Sequence, residues 1–525
     1  MDSTGKEPSD SKAKESANSS TKCLIRHGEL EGCEKLIAFL FDECLDDPVL
    51  QYSNTWLEDQ DLKIALSADG RRMAVARGRR LALFNLLQNP GERLEPRYID
   101  DACNSSESIT DITWIAFVGS ASQPKVFVDE CILVGTSAGR VGFYSASGKF
   151  LQSQRFHTTE VIRLRVRGGE SGPCRGDATE DLTVLYTGAL VRLDAFDLQS
   201  CVRRWQVLGA GQHESELQVR KWELPKWKGS VCLDGVCAGP FPPLLDNLLT
   251  SSSDAPVSDL CLLTVGCKPA MMAYSASETD DLGVVALASK VVGSMGSAVF
   301  GLANSVASSA KHAASGRVPV LGSWLGSALG AASATASAAS AARPQSEAEK
   351  HDVRPGEEAA LEEGGRTRPW RAVQDGPRRV TSLRLAPRGS MAASTDSLGR
   401  VCLLDTASPF TLVRMWKGYR KASIAWLEDS NEASHGEPQQ LLAVLAPMRG
   451  GLLEIWQLRR GQCVARAKCG NNCQLLEAAR PFGAAMSVTR GSSEQDLQRV
   501  IAKAFIVHGS GQVEAVGMPD LPDML

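Results

Sequence analysis

One short phrase recurs along this chain: an apolar run, a glycine-bearing turn, then a second apolar run. It is read first in I-A-L-S-A-D-G-R-R-M-A-V-A-R-G-R-R-L-A-L-F (Ile64–Phe84). There Asp69-Gly70 signals a tight turn, because glycine accepts positive φ without a Cβ clash. The phrase returns at Ile132–Tyr144, Leu182–Phe196, Leu262–Tyr274, Met391–Asp405, Leu441–Trp456 and Ala504–Val516. Recurrent hairpins at irregular spacing predict an all-β chain, a WD40-like β-propeller of about seven blades, each a sheet of about four strands. Setting aside a tail and an insertion, roughly 400 residues remain, about 57 per blade against the ~40–45 of a WD40 repeat, the surplus going to loops. Two separate β-sandwiches are the competing architecture.

Composition sets the expected boundaries. Residues 1–50 read as a disordered tail and a short apolar segment. The first twenty residues are polar and mixed in charge, with no apolar core after a basic start and so no secretory signal. Cys33–Leu45 reads equally as a short buried helix or a strand. Residues 51–281 are expected to form the first blades and 379–525 the remaining ones. Between them, 282–378 is expected to be a partly helical, low-complexity insertion. At helical spacing Val284, Leu287, Val291, Met295, Val299, Leu302 and Val306 share one face of Leu282–Val306, opposite serines and glycines, with Lys290 the only charge. Such a helix can bind loosely packed lipid through buried apolar area rather than cations, which makes the first six of these the candidate membrane-binding residues. The competing reading docks this face on the propeller or on a partner subunit. A transmembrane span is not expected, since the small residues and Lys290 dilute the ~20 apolar residues a bilayer requires. Ser327–Ala342, rich in alanine and serine, and a charged run through Arg379 complete a flexible loop.

With 43% hydrophobic residues the chain has material for a sizeable core, and a net charge of −4 argues against a dedicated nucleic-acid binder. R-R-W-Q, R-K-W-E-L and K-W-K within Cys201–Asp254 interleave cations with tryptophan, a pattern that can stack on nucleic acid. In an acidic chain those tryptophans are expected instead to pack on the propeller rim with the cations exposed. Phe241–Leu249 reads as a loop entering a short helix. Fifteen cysteines lack a disulfide framework, and the tightest cluster, Cys463, Cys469 and Cys473, lacks the paired C-x2-4-C of a zinc site. Reduced thiols in the cytosol fit this usage, so the expected location is cytoplasmic, and peripheral at endomembranes. Gly135–Gly139 satisfies G-x-S-x-G, but a nucleophile elbow needs a helix next and R-V-G-F-Y reads as a strand. The sequence holds no phosphate loop, no dinucleotide fingerprint and no H-E-x-x-H, and its seven histidines are well separated. No metal, cofactor or catalytic residue is expected, and the residues predict a binding propeller rather than an enzyme.

The densest functional signal is V-R-M-W-K-G-Y-R-K-A-S-I-A-W (Val413–Trp426), followed by L-A-P-M-R-G-G-L-L-E-I-W (Leu445–Trp456). Aromatics and cations crowd a connection that only has to reach the next strand. Trp416, Lys417, Tyr419, Arg420, Met448, Arg449 and Trp456 are the candidate partner-binding residues, since aromatics and arginines concentrate binding energy at interfaces. Equally, Trp416, Tyr419 and Trp456 can fill gaps between blades.

These two segments closely resemble the N-terminal domain of the regulatory, non-catalytic subunit of the Rab-three GTPase-activating protein complex. The resemblance extends, in the family's order, to Trp56–Ser67, Val134–Tyr144, V-A-L-A-S-K-V-V-G-S-M-G-S-A-V-F (Val285–Phe300) and D-S-L-G-R-V-C-L-L-D (Asp396–Asp405). It covers most of residues 50 to 520, and W-K-G-Y-R and A-P-M-R-G are its specific motifs. It implies a non-catalytic regulator of Rab-family small GTPases, paired with a subunit that carries the catalytic arginine. Arginine fingers can act in trans, but the resemblance places that task in the other subunit rather than at Arg420 or Arg449. It also implies links to nucleotide exchange on a Rab, to membrane traffic, lipid droplets and autophagy. The implied partners are the catalytic subunit, a Rab-family GTPase and a peripheral membrane contact, with no nucleic acid. Family members are expected to continue into a C-terminal region beyond residue 525. The competing function is a propeller scaffold in a coat or tethering complex that leaves GTPase rates unchanged.

Overall fold

The computed structural model describes residues 23–30, 33–41, 55–86, 95–118, 127–168, 180–208, 217–225, 229–240, 260–277, 365–387, 389–428, 439–458, 460–483 and 503–517. All of them belong to one compact unit, Met1–Thr279 with Glu357–Leu525. The candidate membrane-binding residues Val284, Leu287, Val291, Met295, Val299 and Leu302 lie outside the described residues, as do Lys226–Lys228 and Phe241–Leu249.

Strand β1 (Leu24–Glu29) and helix α1 (Cys33–Phe41) precede the first complete blade. Blade 1 is β2 (Lys63–Leu66), β3 (Arg72–Arg77), β4 (Arg80–Asn85) and β5 (Arg97–Ile99). Blade 2 is β6 (Ile109–Val118), β7 (Phe127–Thr136), β8 (Arg140–Ser145) and β9 (Phe150–Arg155). Blade 3 is β10 (Val161–Arg167), β11 (Asp181–Tyr186), β12 (Ala189–Asp194) and, after helix α2 (Ala195–Leu208), β13 (Val219–Glu223). Blade 4 is β14 (Val231–Pro240), β15 (Leu260–Cys267), β16 (Met271–Ala276) and β17 (Gly365–Val373). Blade 5 is β18 (Val380–Leu385), β19 (Met391–Asp396), β20 (Arg400–Asp405) and β21 (Thr411–Lys417). Blade 6 is β22 (Ser423–Glu428), β23 (Gln440–Ala446), β24 (Leu452–Gln457) and β25 (Cys463–Lys468). Blade 7 is β26 (Cys473–Glu477), β27 (Ala504–His508) and β28 (Gln512–Val516), completed on its outer edge by β1, which registers Leu24 with Val516. The described residues therefore fold as a seven-bladed propeller whose last blade is closed by β1.

The apolar cores sit in the seams between blades, one per seam. Phe143, Tyr186 and Phe482 share the seam of blades 2 and 3, Trp426 and Trp416 that of blades 5 and 6, and Trp56 with Phe505 that of blades 7 and 1. A blade covered on both faces buries both sides of its middle strands, so β11 (D-L-T-V-L-Y) and β23 (Q-L-L-A-V-L-A) are buried almost throughout. The outer strands face water on one edge and read as mixed polar sequence, as in β21 and β17.

Helix α1 settles the ambiguous Cys33–Leu45 segment: it buries Leu36, Ile37, Leu40 and Phe41 against blade 1 and Trp56. Helix α2 is a feature that the hairpin reading passed over. Asp194 caps it, its Oδ1 accepting from Phe196 N at 2.8 Å and Asp197 N at 3.3 Å. Leu198, Cys201, Val202 and Trp205 recur at helical spacing on its buried face, and Trp205 packs on Phe143 with ring centroids 5.1 Å apart. Trp205 and Trp222 are thus buried in seams, while Arg203 and Arg204 are exposed.

Blades 3 and 4 are joined at their outer edges. β13 and β17 pair in parallel, Trp222 opposite Gly365 and Glu223 opposite Arg366, and Thr367 Oγ1 donates to Glu223 O at 2.9 Å. β17 falls within the stretch that composition gave to the insertion, and the described residues of blade 4 end at Ser277 and resume at Gly365.

Candidate functional site

Strands within a blade alternate in direction, so two kinds of loop share one end of the propeller: the turn between second and third strands, and the connection from the fourth strand to the first strand of the next blade. Three such loops meet where blades 5 and 6 adjoin. The first is D-S-L-G-R, the turn between β19 and β20. Asp396 Oδ1 accepts from Leu398 N (3.0 Å) and Arg400 N (2.9 Å), and Gly399 takes the left-handed φ of 79°. The carbonyl of Gly399 then accepts Tyr419 N at 2.9 Å, so this turn carries the second loop, W-K-G-Y-R, which leads from β21 into β22. The third is A-P-M-R-G-G between β23 and β24. Its Pro447–Arg449 turn ends in two left-handed glycines, and a Cβ on Gly451 would fall on the carbonyl of Gly470.

A buried carboxylate ties the second and third loops together. Glu454, on β24, is 3% exposed and accepts from the phenol of Tyr419, with Arg466 Nε at 3.0 Å and Arg449 Nη1 at 3.8 Å. Arg449 also lies over the Tyr419 ring, 4.7 Å from its centroid. Burial, and then the hydrogen bond to Glu454, push the Tyr419 phenol above its usual range, so it remains a donor at neutral pH.

The structure brings all seven candidate residues to this seam and divides them by role. Trp416 and Tyr419 are buried and Trp456 is half-buried; Trp416 and Trp456 pack with centroids 5.4 Å apart in the core of blades 5 and 6. These aromatics fill the seam. Lys417, Arg420, Met448 and Arg449 stand exposed above them, Met448 at 65%. Sequence reasoning passed over Lys421 and Arg466, which extend the same basic rim, and Glu454, which organises it. The signal for Glu454 was present: a carboxylate inside the apolar run L-L-E-I-W demands a partner.

Elsewhere the expectations meet a simple geometry. Ser137 of G-T-S-A-G sits in the turn between β7 and β8, and its Oγ accepts Ser108 N at 3.0 Å. A strand follows, so no nucleophile elbow forms there. The described cysteines are free thiols. Hydrogen bonding between the Cys469 and Cys473 thiols pushes Cys469 up and holds Cys473 down. Among the described residues no three His, Cys, Asp or Glu side chains are grouped to hold a metal, and no helix is long and apolar enough to cross a membrane.

Residues 56–476 match the family model described as the Rab3 GTPase-activating protein regulatory subunit N-terminus. Among solved structures, Chaetomium thermophilum Sqt1 bound to the N-terminus of the ribosomal protein L10 is similar at 12% identity, covering 87% of this chain and 83% of that one, with a TM-score of 0.41. A chain of the mitotic checkpoint complex is similar at 9% identity over 99% of this chain and 100% of that one, with a TM-score of 0.40. Likeness of that order carries nothing about function, and the blade architecture rests on the strand pairing described above.

Proposed function

The chain belongs to the family of Rab3 GTPase-activating protein regulatory subunits, matched in their N-terminal region, and on that premise we propose that it acts on a Rab-family GTPase through a catalytic partner subunit docked on the rim of blades 5 and 6. One observation carries the choice of surface. Two motifs from different blades converge there around a fixed Tyr419–Glu454 pair, with Lys417, Arg420, Met448 and Arg449 presented to solvent. Arginine and methionine are enriched at interfaces, and a rim of cations suits an acidic face on the partner.

Co-purification with the catalytic subunit of the complex, followed by GTP hydrolysis and nucleotide exchange on a Rab, tests this. Wild type should recover the subunit at near-equal stoichiometry and change one of the two rates. The variant K417E/R420E/M448E should lose both effects while melting as wild type does. A variant that still binds moves the interface elsewhere, and a wild type that alters neither rate favours the scaffold reading. The proposal includes cytoplasmic location and a peripheral membrane contact through Leu282–Val306, supported by the apolar face of that segment in sequence. Flotation with small, highly curved vesicles tests the contact, and equal recovery with and without the segment removes it.

A further inference from the structure

Charged side chains from six blades converge on the propeller axis. They are Lys63 of β2, Asp111 of β6, Arg163 and Arg165 of β10, Asp234 of β14, Arg384 of β18, and Glu477 of β26 with Arg480 just after it. Arg165 Nη2 meets the fully buried Asp234 at 2.8 Å and lies within electrostatic reach of Asp111 and Glu477. Lys63, whose Nζ donates to Gln60 O at 2.8 Å, is within reach of Asp111, Arg163, Asp61 and Asp59, and Arg384 of Arg165, Glu477, Asp234 and Asp111. Residues spread over so many blades can meet only near the axis.

On the inner strands and the residues just after β26 the balance of charge is positive, with five cations against three carboxylates, while Asp59 near Lys63 is engaged by Arg77 at 3.0 Å. The carboxylates are also committed to the scaffold, each accepting a backbone N–H from the inner strand of a neighbouring blade. Asp111 takes Leu164 N at 2.7 Å, Asp234 takes Leu383 N at 2.9 Å, and Glu477 takes Trp426 N at 3.3 Å. Glu477 additionally holds Arg480 at 2.6 Å. The crowding of like charge is visible at Arg384, whose guanidinium falls to about 10, first because of Arg165 and then through burial.

One end of the axis is closed. After β26 the chain runs along the base of the propeller: Ala479 N donates to Leu66 O (3.0 Å) on blade 1, and Phe482 N to Ala116 O (2.8 Å) on blade 2. Gly483 N donates to Glu180, just before β11 of blade 3. The Arg480 side chain crosses to blade 5, donating to Leu385 O at 2.8 Å and Ala386 O at 3.2 Å. Solvent still reaches the charges above this strap, where Lys63, Arg163 and Arg384 are half-buried.

We propose that this base-closed axial pit binds a small oxyanion of the phosphate class, held by Arg163, Arg165, Arg384 and Lys63. A multiply charged anion offsets the surplus, and guanidinium forks match phosphate oxygens in pairs. Confinement away from bulk water strengthens each of these attractions. The inference is independent of the partner-binding rim.

Isothermal titration calorimetry of the whole chain, at ionic strength held constant with chloride, tests the pit with inorganic phosphate, pyrophosphate and inositol hexakisphosphate. Saturable one-to-one binding is expected. Preference for the inorganic probes marks a free phosphate site, and preference for the inositol probe a phosphate-ester site; either supports the pit. Arg384→Gln should weaken binding about tenfold or more. It relieves like-charge crowding, so the unliganded variant should melt no lower than wild type. Arg163→Gln repeats the test at a guanidinium whose own hydrogen bond goes to the adjacent Ile162 O, so a failure of the first variant to fold leaves the question answerable. No saturable binding of any probe up to about 5 mM overturns the proposal, as does unchanged affinity in a folded variant.

Discussion

The phenol of Tyr419 donates to the buried carboxylate of Glu454, coupling the loop that enters blade 6 to that blade's third strand. Tyr419→Phe leaves a carboxylate that is 3% exposed with only its arginine partners Arg449 and Arg466 in this cluster. The expected cost is about 1–3 kcal/mol, read as a lower urea midpoint. The phenol's pKa is raised on folding, by burial first and then by Glu454, so the folded state holds this proton more tightly than the unfolded chain. That stabilisation is complete below the ordinary tyrosine value of about 10 and is lost as pH rises through the folded value. The gap in stability between wild type and Tyr419→Phe should therefore narrow above about pH 10. A gap that is constant with pH would mean the phenol contributes by shape alone.

Trp416 and its neighbours on the rim answer different questions when mutated. Trp416 packs on Trp456 in the seam, so Trp416→Ala should cost about 3–5 kcal/mol and lose partner binding through damage to the fold. Lys417→Glu with Arg420→Glu changes exposed charges and should shift the melting temperature by less than about 2 °C. If the rim is the docking surface, the charge variant weakens the catalytic subunit's binding at least about tenfold, with a shallower salt dependence. Equal binding by wild type and the charge variant would assign Trp416 a purely structural place.

Ala276 faces Thr367 across the neighbouring antiparallel strands β16 and β17, although a long excursion separates them in sequence. Continued by one residue, that register would set Ser277 opposite Arg366. Replacing residues 278–364 with a single asparagine would create Asn-Gly365 between them, the preferred two-residue hairpin turn. The shortened chain should fold with a melting temperature within a few degrees of wild type, less the small loss of the Trp222–Gly365 pairing. It should also lose any flotation with curved vesicles. Failure to fold would show that the excursion is part of the propeller rather than an insertion into it.

The sequence disclosed the middle of each blade and concealed its edges, for one physical reason. β3–β4, β7–β8 and β23–β24 are pressed between neighbouring blades and need apolar residues on both faces, which makes them conspicuous. β5, β13 and β17 are outer strands whose composition is set by solvent on one side, so R-Y-I and G-R-T-R-P-W-R-A-V carry no strand signature. Helix α2 was legible in its Asp194 cap and its buried Leu198, Cys201, Val202 and Trp205, but it stands between two strands of one blade, where a repeat pattern predicts only a turn. At the rim, W-K-G-Y-R and A-P-M-R-G were readable as motifs. Their contact was not, because it depends on Glu454 in a different strand. The axial charges were still less visible, since Asp234 and Arg384 each look like an isolated charge in an inner strand and the arginines of V-I-R-L-R-V-R look like the solvent face of an alternating one.

Closure of the ring depends on strand β1. β1 pairs with β28 from Leu24 opposite Val516 to Glu29 opposite Gln512, and its flanks are fastened by Gly517 N to Cys23 O and Leu30 N to Gly511 O, both at 2.8 Å. Removing residues 1–30 would leave blade 7 with three strands and an open edge on β28, a template for pairing with other chains. It would also uncover the Cys23 side of the seam between blades 6 and 7. With a net gain of about 0.5–1.5 kcal/mol for each ladder bond, the loss should be roughly 3–6 kcal/mol. At about 2–4 °C per kcal/mol, the melting temperature should fall by roughly 6–24 °C. Size-exclusion chromatography should show association of the truncated chain, and a synthetic peptide spanning residues 23–30 should partly reverse both changes. A truncated chain that melts as wild type would show that blade 7 is stable on three strands and that the ring does not need its clasp.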